Sequence, residues 1–389
     1  VDVVDNPYAP GAGLRPPLLA GRQGEIDAFD AVLRRGELAR ASRGLVLTGL
    51  RGVGKTVLIN ELATRADARG WIVVQAETRR EGAPALLTAV AAQLTAGIRR
   101  LHGPRPSDLA RKALGSISAF TVTLDPAGNI GASVQASRSG SRGVDLEVEF
   151  SALAVDIGRA AMEAGVGAVL LVDELHELDR PSMAALAAGA HVAGQRSVPF
   201  VVVGAGLPNL AGRLAEAKSY AERLFDYRPL GQLDPDTAAQ ALSGPAAEMG
   251  VQWSAPALES VVEAAGGYPY FLQEFGSATW NVAAGRLVTQ ADARNGIRLG
   301  QATLDNGFFR SRWDRATATE RLFLRAMSGD SGQDTKTSDV AARLGRTMSN
   351  LGPIRAGLIG KGLIYAPEYG FVAFTVPGMA GFIQREADR

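Results

Sequence analysis

Apolar and polar positions follow two different periods along the first 230 residues. Short, almost uninterrupted apolar runs recur at 45–48, 72–75, 169–172 and 200–203. They are too short for ordinary helices and are mostly Val, Leu and Ile, so each predicts a buried strand. Longer Ala- and Leu-rich stretches separate them, and Ile26, Phe29, Val32 and Leu33 mark one helical face within residues 22–40. Strands alternating with helices predict an α/β fold, a parallel sheet covered on both faces. Residues 116–136 break the pattern. Phe120-Thr121-Val122-Thr123-Leu124 and the run 130–134 flank Asp125-Pro126-Ala127-Gly128-Asn129, which predicts an inserted β-hairpin. The polar stretch 137–143 reads either as a connector or as a loop that touches a partner.

After about residue 230 the strand pattern stops. Segments 235–249, 255–265, 270–283 and 290–309 have helical spacing and are broken by Gly and Pro. They predict a small all-helical domain over 231–315. Residues 316–389 change again, to three helices and then two strand-like runs at 363–365 and 370–374. That is the layout of a winged helix-turn-helix domain. The Pro- and Gly-rich residues 1–20 predict an extended arm in front of an α/β domain that ends near 230.

The candidate chemistry sits at the ends of two predicted strands. Gly49-Leu50-Arg51-Gly52-Val53-Gly54-Lys55-Thr56 is a complete G-x-x-x-x-G-K-T phosphate loop between a strand and the helix that starts near Val57. Its glycines let successive backbone N–H groups face phosphate oxygens, and the helix N-terminus adds partial positive charge. In this motif Lys55 reaches the β- and γ-phosphates and Thr56 holds Mg²⁺. A second run, 168–172, delivers Asp173 and Glu174 at its C-terminal end. Asp173 would hold Mg²⁺ and Glu174 would orient the attacking water. Two acids after a strand can also simply cap the next helix, and the phosphate loop favours the functional reading. His176 and Asp179 follow as outer groups, because three scattered His residues form no metal cluster. The chain is therefore expected to bind ATP or ADP with Mg²⁺.

The phosphate loop, the acid pair, the helical region and the terminal winged helix together resemble an AAA+ ATPase. The likeness is to the branch near the STAND and archaeal-type ATPases and the origin-recognition initiators. It implies a P-loop NTPase sheet with a helical lid, and adenine contacts from the arm, here Asn6-Pro7-Tyr8 and Gly21-Arg22-Gln23-Gly24-Glu25. It also implies an arginine reaching a neighbour's γ-phosphate. Arg223 lies at that place, with Arg213 and Arg228 behind it, and an ordinary surface arginine is the alternative. Gly266-Gly267-Tyr268-Pro269 resembles the G-x-P element of STAND proteins, which sets Pro269 near the adenine; no sensor 2 arginine is visible there. The strand end that often carries a polar sensor reads Gly204-Ala205-Gly206, so that sensor is missing or displaced to Asn209.

Composition narrows the partners. The chain has 389 residues, no Cys and a net charge of +1. No disulfide framework or thiolate chemistry is available, and a global attraction to nucleic acid is excluded. No apolar stretch approaches the ~20 residues of a membrane span, and residues 1–7 lack the basic and apolar regions of a secretory signal. A cytoplasmic protein is expected. Residues 310–389 hold 12 Lys/Arg against 8 Asp/Glu. DNA contact would fall to Arg346, Asn350, Arg355 and Lys361, with Thr347 and Ser349 beside them. A winged helix that instead packs on the ATPase domain or binds a protein is the alternative. Two functions result. One is an ATP-hydrolysing switch that self-associates and controls DNA or partner binding; the other is a slowly hydrolysing signalling scaffold. A small-molecule kinase would leave the acid pair and the C-terminal region unexplained.

Overall fold

The computed structural model describes residues 1–78, 83–122, 145–330 and 334–387. Its centre is a parallel sheet of β1 (Gly44–Thr48), β2 (Ile72–Glu77), β3 (Ala168–Asp173), β4 (Phe200–Gly206) and β5 (Phe225–Pro229), in the order β2-β3-β4-β1-β5. Residues of β1, β3 and β4 are buried throughout because both sheet faces are covered. Alternation divides them between two cores. Leu45, Leu47, Val169, Leu171, Val201 and Val203 face α1 (Gln23–Glu37) and α2 (Lys55–Ala68). Val46, Leu170, Val172 and Val202 face the opposite layer of α3 (Ala83–His102), α4 (Asp108–Val122), α5 (Leu146–Glu163) and α6 (Arg180–Gln195). Short helices α7 (Leu210–Ala217) and α8 (Ala221–Leu224) close the edge next to β5. The fifth strand was not expected from the sequence, since Phe225-Asp226-Tyr227-Arg228-Pro229 is half polar. It is an edge strand paired only with β1, where such a composition is tolerated.

The inserted hairpin is overturned where the structure describes it: residues 116–122 continue helix α4. Ala110, Ala113, Ile117 and Phe120 are buried on one face at helical spacing, and Phe120 meets Phe150 of α5 with ring centroids 6.0 Å apart. Burying that face outweighs the β preference of Phe120-Thr121-Val122. The remainder of the expected hairpin and the polar stretch 137–143 lie outside the described residues.

Beyond the sheet, α9 (Pro235–Glu248), α10 (Ala255–Ala265), α11 (Pro269–Val282) and α12 (Gln290–Thr303) pack together, with a minimal ladder of β6 (Gln252–Trp253) and β7 (Leu287–Val288). A π-helical turn, Leu304–Phe309, leads into α13 (Arg310–Asp314). The last region comprises α14 (Ala318–Ser328), β8 (Thr335–Lys336), α15 (Thr337–Leu344), α16 (Met348–Gly360), β9 (Ile364–Tyr365), β10 (Phe371–Phe374) and α17 (Met379–Ala387). Strands β8, β10 and β9 form a small antiparallel sheet. Among the described residues no helix is long and apolar enough to cross a membrane.

Candidate active site

The phosphate loop leaves β1 and enters α2, and the acid pair leaves β3, two strands away across β4. Both ends open on the same side because the strands are parallel, as the ligand rule for such sheets requires. Thr56 Oγ1 donates to Asp173 Oδ2 at 2.6 Å, so loop and acid strand meet directly. Lys55 is buried, and its Nζ donates to Gly49 O and Leu50 O, each at 2.8 Å. Burial pushes its ammonium down to about 8, against the opposing pull of Glu174 and Asp173. Glu174 adopts the left-handed conformation, φ 51°, rare for a non-glycine residue. The Thr78 hydroxyl donates to its carbonyl, which helps to hold that conformation.

Gly52 and Gly54 have φ of 92° and 94°, a region that side chains disfavour. At Gly52 space matters as well. A Cβ there would lie 3.0 Å from Tyr268 Cε1 and 3.2 Å from Tyr270 Cβ. The helical region thus rests on the loop itself: Tyr270 N donates to Gly52 O at 3.3 Å, and the Tyr268 hydroxyl donates to Arg51 O.

A cleft of about 340 Å³ lies over this loop, walled by the arm at Gly11–Leu14, by Leu18 and Leu19, and by Pro269 and Tyr270 of α11. Gly52, Val53, Gly54, Lys55, Thr56, Val57, Arg51, Arg22 and Glu174 all line it. Arg22 is buried, donates to Val53 O at 3.1 Å and to Gly231 O at 2.9 Å, and so ties the loop to the connection into α9. Desolvation lowers the affinity of its guanidinium for the proton.

Tyr8 is placed differently from the expectation. Its ring is buried edge-on to Trp253 and Trp280, and its hydroxyl donates to Leu242 O at 2.6 Å. It anchors the arm to the helical region, while the residues after it form the cleft wall. Arg223 is exposed on α8 and outside the cleft; Arg213 donates to Leu178 O, and Arg228 pairs with Asp226. Asn209 does not line the cleft. Asp179 caps α6, accepting from Ser182 N.

Sequence reading missed Arg312. This residue of α13 lines the same cleft as Lys55, beside Phe308 and Arg51. Its Nη1 donates to Phe308 O at 2.6 Å and its guanidinium lies 3.9 Å from the Phe308 ring centroid. Burial, reinforced by Arg51, pulls it down to about 10. No motif marks it, because the π-helical turn that aims Phe308 and Arg312 inward has no sequence signature.

The C-terminal region also touches the loop. Arg51 N donates to Thr375 O at 3.0 Å, and Leu50 packs with Leu207, Tyr365 and Ala373. Of the residues expected at DNA, Arg346 and Asn350 are exposed, as are Thr347 and Ser349. Lys361 pairs with Glu320 at 2.5 Å, and Arg355 donates to Phe371 O at 3.5 Å. Both side chains are half-buried and make these contacts within the C-terminal region. Among the described residues no cluster of three or more His, Asp or Glu is poised to hold a metal by itself.

Residues 18–203 match the family model described as AAA ATPase domain, and residues 306–383 match one described as a domain of unknown function (DUF8462). No curated protein matches the chain. Among solved structures, the chain is similar to the Walker-type ATPase PABY2304 of Pyrococcus abyssi. The identity is 16%, covering 95% of this chain and 97% of that one, at a TM-score of 0.53. Weaker likenesses are to the Aeropyrum pernix ORC1 protein in complex with DNA, 15% identical over 96% and 94% at 0.47. Another is to the Thermotoga maritima RuvB Holliday junction branch migration motor, 14% identical over 93% and 96% at 0.45.

Proposed function

We propose, from the premise that this chain is an AAA-type P-loop ATPase, that ATP binds in the cleft between sheet and helical region and that its hydrolysis switches the C-terminal region. One observation carries the reading: Lys55, Thr56, Asp173 and Glu174 converge at one end of the sheet, joined by the 2.6 Å Thr56–Asp173 hydrogen bond. Backbone N–H groups of the loop take the phosphates. Lys55 exchanges its two carbonyl partners for phosphate oxygens. Adenine fits the apolar wall of Gly11–Leu14, Leu18 and Pro269. Arg312, on the lid side, supplies positive charge to the phosphates, a place the sequence left empty.

The hard oxygen donors of Thr56 and Asp173 suit Mg²⁺. When bound, the ion neutralises charge on the phosphates. Glu174 orients the attacking water and accepts its proton. Arg223, exposed on α8, is free to reach the nucleotide of a second copy, which makes self-association part of the proposal.

A second reading, a slow switch whose C-terminal region is a docking or autoinhibitory module, draws support from two observations. Strand β4 ends in Gly204-Ala205-Gly206 with no polar side chain, and Lys361 is paired with Glu320 of the same region. The winged-helix reading of 316–389 leaves Arg346 and Asn350 as exposed candidates for DNA.

The test is turnover and nucleotide binding in Lys55→Ala and Glu174→Gln. The first should lose ATP binding, and the second should bind ATP and stop hydrolysis; turnover at the wild-type rate in Glu174→Gln would remove that carboxylate from the mechanism. Turnover per subunit that rises with protein concentration in wild type but not in Arg223→Ala supports the trans arginine. Salt-sensitive retention on duplex DNA, lost in Arg346→Ala, separates the DNA reading from the docking one.

A further inference from the structure

We propose that His176 is a positioning residue for hydrolysis, its imidazole Nδ1 holding the Glu174 carboxylate in place, with Gly206 leaving room for that ring beside Leu210. The inference rests on the water-orienting role given to Glu174 above.

His176 is buried, 6% exposed, in the short turn that follows the acid pair. Its Nδ1 lies 3.3 Å from Glu174 Oε2, and its Nε2 lies 3.5 Å from Glu177 Oε1. Glu174 Oε2 and His176 Nε2 are both buried without a hydrogen bond in the present arrangement. Buried polar atoms left so are uncommon, and a small rotation of either side chain joins Nδ1–H to Oε2. The ring lies beneath the end of β4. Leu207 N donates to Nδ1 at 3.4 Å, and a Cβ on residue 206 would come within 2.9 Å of Leu210 Cδ2, 3.1 Å of Nδ1 and 3.3 Å of the histidine Cβ. A side chain at 206 would therefore crowd both Leu210 and the imidazole.

Two hydrogen bonds compete for the same nitrogen. With the proton on Nε2, Nδ1 accepts from Leu207 N–H and turns a lone pair toward the Glu174 carboxylate. With the proton on Nδ1, it donates to Oε2 and fixes that oxygen. The Glu174 main chain is already confined to φ 51°, so its side-chain rotation is the freedom left to control. Arg51 approaches the other oxygen, Oε1, only to 3.9 Å, which leaves His176 as the nearer of the two.

The discriminating pair is His176→Asn against His176→Gln. The Asn amide can place its N–H₂ near the Nδ1 position, and the Gln amide reaches toward Nε2 instead. Turnover, ATP affinity by calorimetry and melting temperature would be measured for both, alone and combined with Glu174→Gln. His176→Asn should keep turnover within about threefold of wild type. His176→Gln should lose about tenfold or more in kcat with ATP Kd changed less than twofold, and should leave the residual single-turnover rate of Glu174→Gln unchanged. Equal turnover in the two variants, or an equal loss with and without Glu174, overturns the positioning role. If Glu174→Gln itself hydrolyses ATP like wild type, the reading of Glu174 falls first and this inference with it. An essential Glu174 with indistinguishable Asn and Gln variants sinks the His176 assignment alone. His176→Leu gives a second check: wild-type turnover in a folded Leu variant contradicts the proposal.

Discussion

Arg312 holds its charge in the cleft at a cost, and that cost makes a prediction with an unusual sign. Burial and the neighbouring Arg51 bring its guanidinium down to about 10. Set against an ordinary arginine, a displacement of that size is worth about 3–4 kcal/mol. The contacts that offset it are a hydrogen bond to Phe308 O and stacking on the Phe308 ring. These are worth about 1.5 and 1 kcal/mol respectively. The balance is roughly 1 kcal/mol against the buried cation in the nucleotide-free protein. Methionine keeps the apolar stem and drops the charge. Arg312→Met should therefore stabilise the nucleotide-free protein by about 1 kcal/mol, near 2 °C in melting temperature. The same variant should bind ATP about 10- to 150-fold more weakly, the equivalent of one charge-assisted contact of 1.5–3 kcal/mol. Scanning fluorimetry across an ATP titration reads both effects in one experiment, since ligand stabilisation scales with the logarithm of ligand over Kd. Arg312→Lys should fall between, keeping charge without the planar fork. A variant that melts lower without nucleotide and keeps its ATP affinity would show that Arg312 braces α13 and has no part in the nucleotide site.

Gly52→Ala should cost about 1–2 kcal/mol for the left-handed backbone alone, with more from the contact with Tyr268 and Tyr270; urea unfolding together with ATP calorimetry would register both the loss of stability and weaker binding. Phe120→Ala should destabilise by about 3–5 kcal/mol as a core truncation, whereas the same change in an exposed hairpin would be nearly neutral in a urea melt. The Arg343 guanidinium holds the Asp330 carboxyl below its ordinary value. A depressed carboxyl contributes stability above its unfolded value and loses it as pH falls toward the folded one. Arg343→Met should therefore flatten the acid limb of the stability curve below roughly pH 4, as followed by fluorescence-detected unfolding between pH 7 and 3.

The sheet and the phosphate loop were legible because each rests on local signals. Leu45 to Leu47 and Val169 to Val172 are apolar without interruption, which is what burial on both faces of a parallel strand demands. The segment 255–265 is helix α10 to the residue, with Pro256 in its first turn and Gly266 in the left-handed conformation after its end. The failures share one cause, tertiary context. Residues 116–122 carry β-prone side chains, but Ile117 and Phe120 complete a helical stripe that only becomes visible once α5 is packed on it. Strand β5 is polar because it is an edge. The family likeness puts Tyr8 at the adenine, whereas its ring turns into the helical core, where Trp253 and Trp280 offer their edges and Leu242 an acceptor. Arg312 lies 257 positions after Lys55 in the chain, and only the π-helical turn brings it to the same cleft.

Three parts of the molecule converge on the short stretch 50–52, and this bears on how the proposed switch would operate. The helical region holds the loop through Tyr268 and Tyr270, and the C-terminal region holds it through Thr375 and the packing of Leu50 with Tyr365 and Ala373. The Arg51 side chain lies between them, 3.9 Å from Glu174, with Gly362 on its far side. A ligand that takes up the loop amides and Lys55 must act on a segment whose backbone already serves two other regions. Any preference of that ligand for one loop shape is necessarily a preference for one placement of Thr375 or of Tyr268, because the hydrogen bonds are shared. The coupling is reciprocal. A partner that pulled the C-terminal hairpin from Arg51 would change ATP affinity by the same factor by which ATP changes affinity for that partner. A variant that cuts the link without touching the cleft measures it: Tyr365→Ala should alter ATP Kd severalfold, and an unchanged Kd in a folded variant would show that the C-terminal region rides on the loop without sensing it.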